Sequence, residues 1–344
     1  MRIPYLDFRP ALAEPAALPP SAVVAGRTTS GPGLRLGEYT TLRADGEAIR
    51  IGANGWFGRR ATVHIADSVY AAVIGDDVTV GRYGLVHACT LEDGVVVADA
   101  ATVMDGAIVG AYAAIMPGSV VPPRKALAGG IVYAGSPVAP VRSIGRDELA
   151  RYHAALRAGG SPDPAAHVDL PPLVEAVSLA SAPRVVRHEA TFVAPTAALA
   201  GSIEMAEDSG IYFACVVDAG DARISLGVRT NVQDNSFLVT DRRRGNLVIG
   251  DDVTIGHNVR MGSGTIGDRA LVGMGAIVGD NVVVEEGACI AAGAYVEPAT
   301  RVPRGWIYAG RPARPFRELR PAERDGFADI IAVYAHYSAV YRAG

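Results

Sequence analysis

Two histidines, His64 and His87, have a spacing at which their side chains could share a metal ion. Each directly follows a valine, Val63 or Val86, that belongs to a regular apolar pattern along the chain. If both valines point into the core from one face of neighbouring coils, the two imidazoles stack on an outer edge about 5 Å apart, the spacing of adjacent strands. Neutral imidazole is a frequent ligand of divalent transition metals, so the pair predicts part of a metal site.

The apolar pattern that positions these histidines has a period of six residues. In residues 248–296 it comprises Ile249, Ile255, Met261, Ile266, Val272, Val278, Val284, Ile290 and Val296. An α-helix repeats every 3.6 residues and a strand every two, whereas a parallel β-helix has a six-residue repeat. We therefore predict left-handed β-helices in which three hexads form one triangular coil. The glycines after many apolar positions suit turns that need a positive φ or a close backbone approach.

The same pattern occurs earlier in the chain, which indicates a tandem duplication. It comprises Ile51, Phe57, Val63, Ile74, Val80, Val86, Leu91, Val97, Val103, Val109, Ile115 and Val121. The offset is constant, because 249 − 74, 266 − 91 and 296 − 121 all equal 175. We predict an all-β fold with a first β-helix and a short helix in residues 1–157. A linker in 158–175 and a second β-helix with a long C-terminal α-helix in 176–344 follow.

Bulk properties restrict the class of protein. The chain has 344 residues, which suits two domains better than one. Its net charge of -4 gives no indication of a nucleic-acid partner. Three widely spaced cysteines favour free thiols in a reducing compartment, so we expect a cytoplasmic protein. The uncharged run in residues 106–123 keeps the hexad pattern, so we assign it to the β-helix and expect no membrane partner.

At the histidine positions the chain resembles the γ-class carbonic anhydrases. That family has Arg-x-Asp, Asn-x-Gln-Asp, a middle His and Gly-His-x4-His on left-handed β-helices, which form trimers with a metal between subunits. The first half matches the family at Arg43, Asp45, His64 and His87, but Arg82 stands where the middle His belongs. Gly46 follows Asp45, at a position where some members carry a Glu that resembles a proton shuttle.

The second half matches the complementary part of the pattern. It has Asn231, Gln233, Asp234 and the middle histidine, His257, whereas other residue types stand at the outer histidine and Arg-x-Asp positions. Neither half can build the family's site with a copy of itself, but together the halves contain every element once. The resemblance therefore implies a composite site that is made from both halves.

The resemblance implies that His64, His87 and His257 bind one Zn, Fe or Co ion per chain. Three imidazoles leave a position open for water, and the metal lowers the pKa of that water towards about 7. The resulting hydroxide would attack CO2 or another small carbonyl compound. The expected catalytic residues are Gln233, which would hydrogen-bond the nucleophile or substrate, and Asp45 and Arg43, which would orient the ligands.

Charges at the family's subunit junction predict self-association through unlike halves. Carried over to this chain, the pattern pairs Arg43 with Asp234 and Arg59 with Asp218, and both pairs are attractive. Contacts between like halves would bring Arg43 near Arg59 and Arg82, or Asp218 near Asp234, and like charges at a desolvated junction are costly. The predicted interface residues are Asp234, Asn231, Arg59, Asp218 and Arg82.

Two other functions fit the same repeat. Hexapeptide acyltransferases share the prism and use one His as a general base, with coenzyme A bound between prisms. A structural or interaction protein would also explain why each half lacks some of the ligands. We nevertheless favour a metal-dependent enzyme with a small-molecule substrate such as CO2 or bicarbonate, because His64 and His87 have the spacing of paired ligands.

Overall fold

The computed structural model describes residues 1–67, 69–162 and 181–343. The chain divides between Leu170 and Pro171 into two compact units, which we call unit 1 and unit 2. This division falls within the segment 158–175 that the sequence predicts as a linker, and most of that segment lies outside the described residues.

Unit 1 is a parallel β-helix whose strands form two sheets. The larger sheet contains Arg2–Ile3, Ala11–Leu12, Val23–Ser30, Thr41–Ile51, Thr62–His64, Ala72–Ile74, Leu85–His87, Thr90–Leu91, Thr102–Val103, Ile108–Val109, Val120–Val121 and Ala126–Leu127. The smaller sheet contains Ala16–Ala17, Leu34–Leu36, Trp56–Phe57, Thr79–Val80, Val96–Val97, Ala114–Ile115, Ile131–Ala134 and Ala139–Ser143. The last two of these strands pair antiparallel and end the stack of coils.

Unit 2 repeats this architecture. Its larger sheet contains Arg184–Arg187, Ala198–Met205, Val216–Leu226, Phe237–Val239, Leu247–Ile249, Arg260–Met261, Gly264–Ile266, Ile277–Val278, Val282–Val284, Tyr295–Val296 and Arg301–Val302. Its smaller sheet contains Phe192–Val193, Gly210–Ile211, Asn231–Val232, Thr254–Ile255, Leu271–Val272, Cys289–Ile290, Trp306–Gly310 and Ala313–Glu318. The closing antiparallel pair of unit 1 also recurs here.

The hexad residues form the cores of the two units, as the sequence predicts. Every residue of the two apolar series is buried, and each series lies in the apolar cluster of its own unit. Val103 pairs with Val121, so that three hexads complete one coil. The prediction of two parallel β-helices is confirmed, and the tandem duplication remains an inference from the constant offset.

The glycines that follow the apolar positions allow coils to approach closely. A Cβ atom on Gly256 would lie 2.7 Å from the amide nitrogen of Met274 in the next coil. Many corners with positive φ are occupied by other residues, such as Asn54, Asp77 and Asn258. Gly256 is therefore needed for the close approach of two coils and not for a positive φ.

A helix follows each β-helix, as predicted. Helix α1 (Arg146–Arg157) buries Leu149 and Leu156, and its His153 Nδ1 lies 2.7 Å from the Thr79 hydroxyl. Burial lowers the pKa of His153, with Arg157 as a second cause, which favours a neutral ring. Helix α2 (Pro321–Ala343) buries Ile331, Tyr334 and Tyr337.

The described part of the chain contains no helix that is long and apolar enough to span a membrane.

Candidate metal centre

The regular stacking of coils brings His64 and His87 together. They end the strands Thr62–His64 and Leu85–His87, which pair in parallel with the two histidines in register. Arg43, in the long strand Thr41–Ile51, pairs with His64 on the other side. Residues in register on neighbouring strands point to the same face of a sheet. Arg43, His64 and His87 therefore lie side by side on one face, in a row that we call a column.

The two imidazoles face each other through one nitrogen each. Nδ1 of His64 lies 3.1 Å from Nε2 of His87, and the ring centroids are 5.1 Å apart. The other nitrogen of each ring contacts a carboxylate: Nε2 of His64 lies 2.9 Å from Oδ1 of Asp45, and Nδ1 of His87 lies 2.6 Å from Oδ1 of Asp105. An ionised carboxylate can only accept a hydrogen bond, so each contact fixes an N–H on the far side of its ring.

This arrangement fits a divalent cation. With both N–H groups directed at carboxylates, the facing nitrogens of His64 and His87 present lone pairs to each other, which is unfavourable unless a proton or a metal ion lies between them. Two nitrogen ligands at 2.0–2.1 Å from a tetrahedral zinc ion would be about 3.3 Å apart, close to the observed separation. A carboxylate behind each histidine is the usual support for a metal-ligating imidazole.

Asp45 is itself held in place by Arg43. The guanidinium of Arg43 forms an ion pair with Oδ2 of Asp45, and both side chains are buried. A buried carboxylate needs such compensation, since an unpaired charge in the interior is costly. Arg43 thus positions Asp45, and Asp45 positions His64.

In unit 2, His257 has a similar environment. Its Nδ1 lies 3.2 Å from Oδ2 of Asp234, whose Oδ1 accepts a hydrogen bond of 3.0 Å from the backbone N–H of Phe213. Its Nε2 lies 3.1 Å from the hydroxyl of Tyr334, on helix α2. The Tyr334 backbone oxygen in turn accepts a 2.7 Å hydrogen bond from the hydroxyl of Tyr212. His257 therefore also has a carboxylate on Nδ1, which leaves Nε2 as the nitrogen that could bind a metal.

Gln233 belongs to a chain of buried amides in the same unit. Its Nε2 donates to Oδ1 of Asn231 at 3.2 Å, and Nδ2 of Asn231 donates to the Thr254 hydroxyl at 3.1 Å. Both amides are nearly inaccessible to solvent. The contact with Asn231 uses one N–H of the Gln233 amide. The carbonyl oxygen of the same amide is a second group that can accept a hydrogen bond.

The structure adds two residues that sequence reasoning missed, Asp105 and Tyr334. Asp105 follows His87 by 18 positions, one more than the 17 that separate Val86 from its partner Val103, so the repeat places it one position past the residue in register with His87. Tyr334 belongs to an apolar and aromatic stripe of α2 that has the spacing of a packed helix face. Nothing in the sequence distinguishes Tyr334, which contacts His257, from the other residues of that stripe.

The predicted interface residues have partners within their own units. Arg59 lies 3.0 Å from Oε2 of Glu38, and Nε of Arg82 donates to Oδ2 of Asp99 at 2.9 Å. Oδ1 of Asp218 accepts a 2.9 Å hydrogen bond from the backbone N–H of Gly220. Association through unlike halves stays a prediction.

Cys89 and Cys289 are poorly suited to ligate a metal at neutral pH. Cys89, Cys215 and Cys289 are all buried free thiols. Burial raises the pKa of Cys89, with a further contribution from Asp105, and burial raises the pKa of Cys289 to about 12. Metals bind the thiolate, so the nitrogen ligands are the relevant donors.

Comparison with known proteins identifies the family. Gamma carbonic anhydrase 1, mitochondrial, of Arabidopsis thaliana is 40% identical over 166 residues, which are 46% of this chain and 59% of that protein. Protein YrdA of Escherichia coli K12 is 36% identical over 147 residues, which are 41% of this chain and 80% of that protein. The family model Bacterial transferase hexapeptide (six repeats) matches residues 263–298. The chain belongs to the γ-class carbonic anhydrase-like family of hexapeptide-repeat proteins.

The match to this family is partial in length. The chain spans 59% of Gamma carbonic anhydrase 1 and 49% of Gamma carbonic anhydrase 2 of Arabidopsis thaliana. Two similar solved structures are a hexapeptide transferase family protein from Anaplasma phagocytophilum and a putative acetyltransferase from Bacillus cereus. They are 33% and 32% identical, cover 46% and 47% of this chain and 92% and 93% of their own, and give TM-scores of 0.44 and 0.46. Both scores are below 0.5, and nothing about activity follows from these likenesses.

Replacing Tyr334 with phenylalanine is expected to strengthen metal binding about threefold to tenfold. The phenol contacts Nε2 of His257, and this contact must be given up if that nitrogen binds a metal. A hydrogen bond of this kind contributes about 0.5–1.5 kcal/mol. Titration against a competing chelator measures the affinity, and Tyr295→Phe in the same unit is the control. A weaker affinity in Tyr334→Phe would mean that the phenol supports the ligand instead of competing for it.

Proposed function

We propose that the protein is a metal-dependent enzyme that acts as the γ-class carbonic anhydrases do, on CO2, bicarbonate or another small carbonyl compound. The proposal rests chiefly on the facing nitrogens of His64 and His87, each with a carboxylate behind its ring. His257, with Asp234 on its Nδ1, is the proposed third ligand.

In this proposal, the protein's own groups prepare the ligands. Asp45 and Asp105 each hold one N–H, which sets the tautomer of the ring and raises the basicity of its other nitrogen, and Asp234 places a carboxylate 3.2 Å from Nδ1 of His257. A divalent cation bound there would lower the pKa of a bound water towards about 7 and so supply a nucleophile at neutral pH. Three neutral imidazoles suit Zn, Fe or Co, and we propose one such ion per chain.

Gln233 is the proposed substrate-positioning residue. Its contact with Asn231 fixes the amide plane, so that its remaining polar atoms can hydrogen-bond a carbonyl or carboxylate oxygen without reorganisation. The buried free thiols fit a reducing compartment, so a cytoplasmic location is part of the proposal. Fractionation of cells followed by detection of the protein checks that location.

Gln233→Ala is expected to lower turnover about tenfold or more while metal content stays unchanged, because it removes a positioned hydrogen-bonding group and no ligand. CO2 hydration and hydrolysis of an activated ester measure turnover, and the activity of the native protein should rise with pH near neutrality. Asn54→Ala is the matched control, since Asn54 is an amide in unit 1 that donates to Asp77 at 3.0 Å.

Two results would overturn the proposal. Acetyl transfer from acetyl coenzyme A by the metal-free protein would favour the acyltransferase alternative. A metal-loaded protein without activity on CO2, bicarbonate or small carbonyl compounds would favour a structural role for the metal.

A further inference from the structure

A cavity of about 590 Å³ lies in unit 2 between helix α2 and one corner of the β-helix. Successive coils place Arg229, Asp252, Arg269, Gly287 and Gly305 at this corner, all with positive φ. Along this corner the first three residues have charged side chains, and the last two are glycines. A Cβ atom on Gly287 would meet nothing within 4 Å, so the cavity opens where the side chains stop.

At the corresponding corner of unit 1, a tyrosine stands in place of Gly287. The residue 175 positions before Gly287 is Tyr112, whose ring covers Gly94 so closely that a Cβ there would lie 2.4 Å from Cδ1 of the ring. The guanidinium carbon of Arg146 lies 3.0 Å from the centroid of the same ring. One tyrosine therefore occupies in unit 1 the place that Gly287 leaves open in unit 2.

The cavity has an excess of positive charge at one end. Glu286 forms ion pairs with both Arg269 and Arg304, so one carboxylate serves two guanidinium groups. The guanidinium of Arg324 lies over Gly305, since a Cβ there would be 3.0 Å from its Nη2. Within the described ranges Arg324 has no ion pair. In total four arginines face three acids, because Glu318 also lines the cavity and Arg229 pairs with Asp252 at 2.7 Å.

Helix α2 supplies the apolar side of the cavity. Phe327, Ala328, Ile331 and Ala332 line it, next to Arg324 one turn earlier on the same helix. An arginine fork beside an apolar wall is suited to a ligand with an anionic head and a hydrocarbon body, because guanidinium binds a carboxylate through two parallel hydrogen bonds.

We propose that this cavity binds a compact organic carboxylate, with its head group on Arg324 and Arg304 and its hydrocarbon body against Phe327 and Ile331. None of the residues that line the cavity is a proposed metal ligand. The ligand class of the cavity follows from the unpaired arginine, the shared carboxylate of Glu286 and the apolar helix face.

Calorimetric titration of the full-length protein with octanoate tests this site. Octanoate should bind about tenfold or more tightly than octanamide, which has the same chain without the charge, because a hydrogen bond between guanidinium and an ionised carboxylate is stronger than one to a neutral amide. Gly287→Tyr, which introduces the residue found in unit 1, should fill the cavity and abolish binding. Tyr112 itself has a φ of 62°, so a tyrosine is tolerated at such a corner.

Arg324→Leu gives a second measurement if Gly287→Tyr fails to fold. Leucine is the residue 175 positions earlier, at Leu149, and the variant should lose about tenfold in octanoate affinity without losing octanamide binding. Arg301→Leu removes an exposed arginine outside the cavity, and His64→Ala removes a proposed metal ligand; neither should alter octanoate binding. Equal affinity for octanoate and octanamide, or native affinity in Arg324→Leu or in folded Gly287→Tyr, would overturn the proposal.

Discussion

His87→Ala is expected to abolish metal binding, with a loss of about two orders of magnitude or more in affinity. Nε2 of His87 is one of the two nitrogens that face each other at 3.1 Å, and a three-imidazole site that loses one donor keeps little of its binding free energy. His64→Ala and His257→Ala should have the same effect. Metal analysis after dialysis against a weak chelator measures the content, and the native protein should hold one ion per chain.

His188→Ala is the control for these variants. The His188 ring accepts a 3.2 Å hydrogen bond from the backbone N–H of Ala190, on an exposed segment of unit 2, and this variant should keep its metal. A His257→Ala protein that retains the full amount of metal would show that unit 1 alone forms the site. Two tightly bound ions per native chain would also exclude a single composite site.

Asp105→Ala is expected to weaken metal binding about 10-fold to 100-fold while leaving the ligand itself in place. The carboxylate accepts the Nδ1 proton of His87 at 2.6 Å, and without it the ring can turn or change its tautomer. Asp105→Asn should give a smaller loss, because an amide oxygen still accepts the hydrogen bond but carries no charge.

Asp280→Ala provides the matched control for Asp105. It lies 175 positions later and accepts a 3.0 Å hydrogen bond from the backbone N–H of Ser263, with no histidine at the position that corresponds to His87. It should affect stability and leave metal affinity unchanged. Equal metal affinity in Asp105→Ala and the native protein would mean that the carboxylate does not support the ligand.

The sequence predicted the fold well because the six-residue period has one structural solution. Residues such as Val63 and Val86 are buried where the repeat places them, and their register puts His64 beside His87. The same counting brings Asp105 close to His87, since it lies one position past the residue of the next coil that is in register with that histidine. Residues in register on neighbouring coils can be counted from the sequence once the apolar series shows which steps are shorter or longer than six.

Contacts made by a helix against the β-helix were not predictable in this way. The contact of Tyr334 with His257 depends on the angle and height at which α2 lies on the coils, and the hexad period does not set either. The local partners of Arg59 and Arg82 were also missed, because long side chains can reach several acids around a corner. Charge type alone did not show that Glu38 and Asp99 would be those partners.

The long step between Val63 and Ile74 leaves the pairing around it undisturbed. Val63 still pairs with Val86 and Ile51 with Ile74, so the strands on either side of the extra residues keep their register. Because each coil contacts its immediate neighbours, the stack resembles a one-dimensional array in which a change stays local. Corners can thus gain or lose residues during evolution while the columns inside persist. This independence would let a chain of this kind acquire new loops beside a histidine pair without rebuilding the scaffold that holds it.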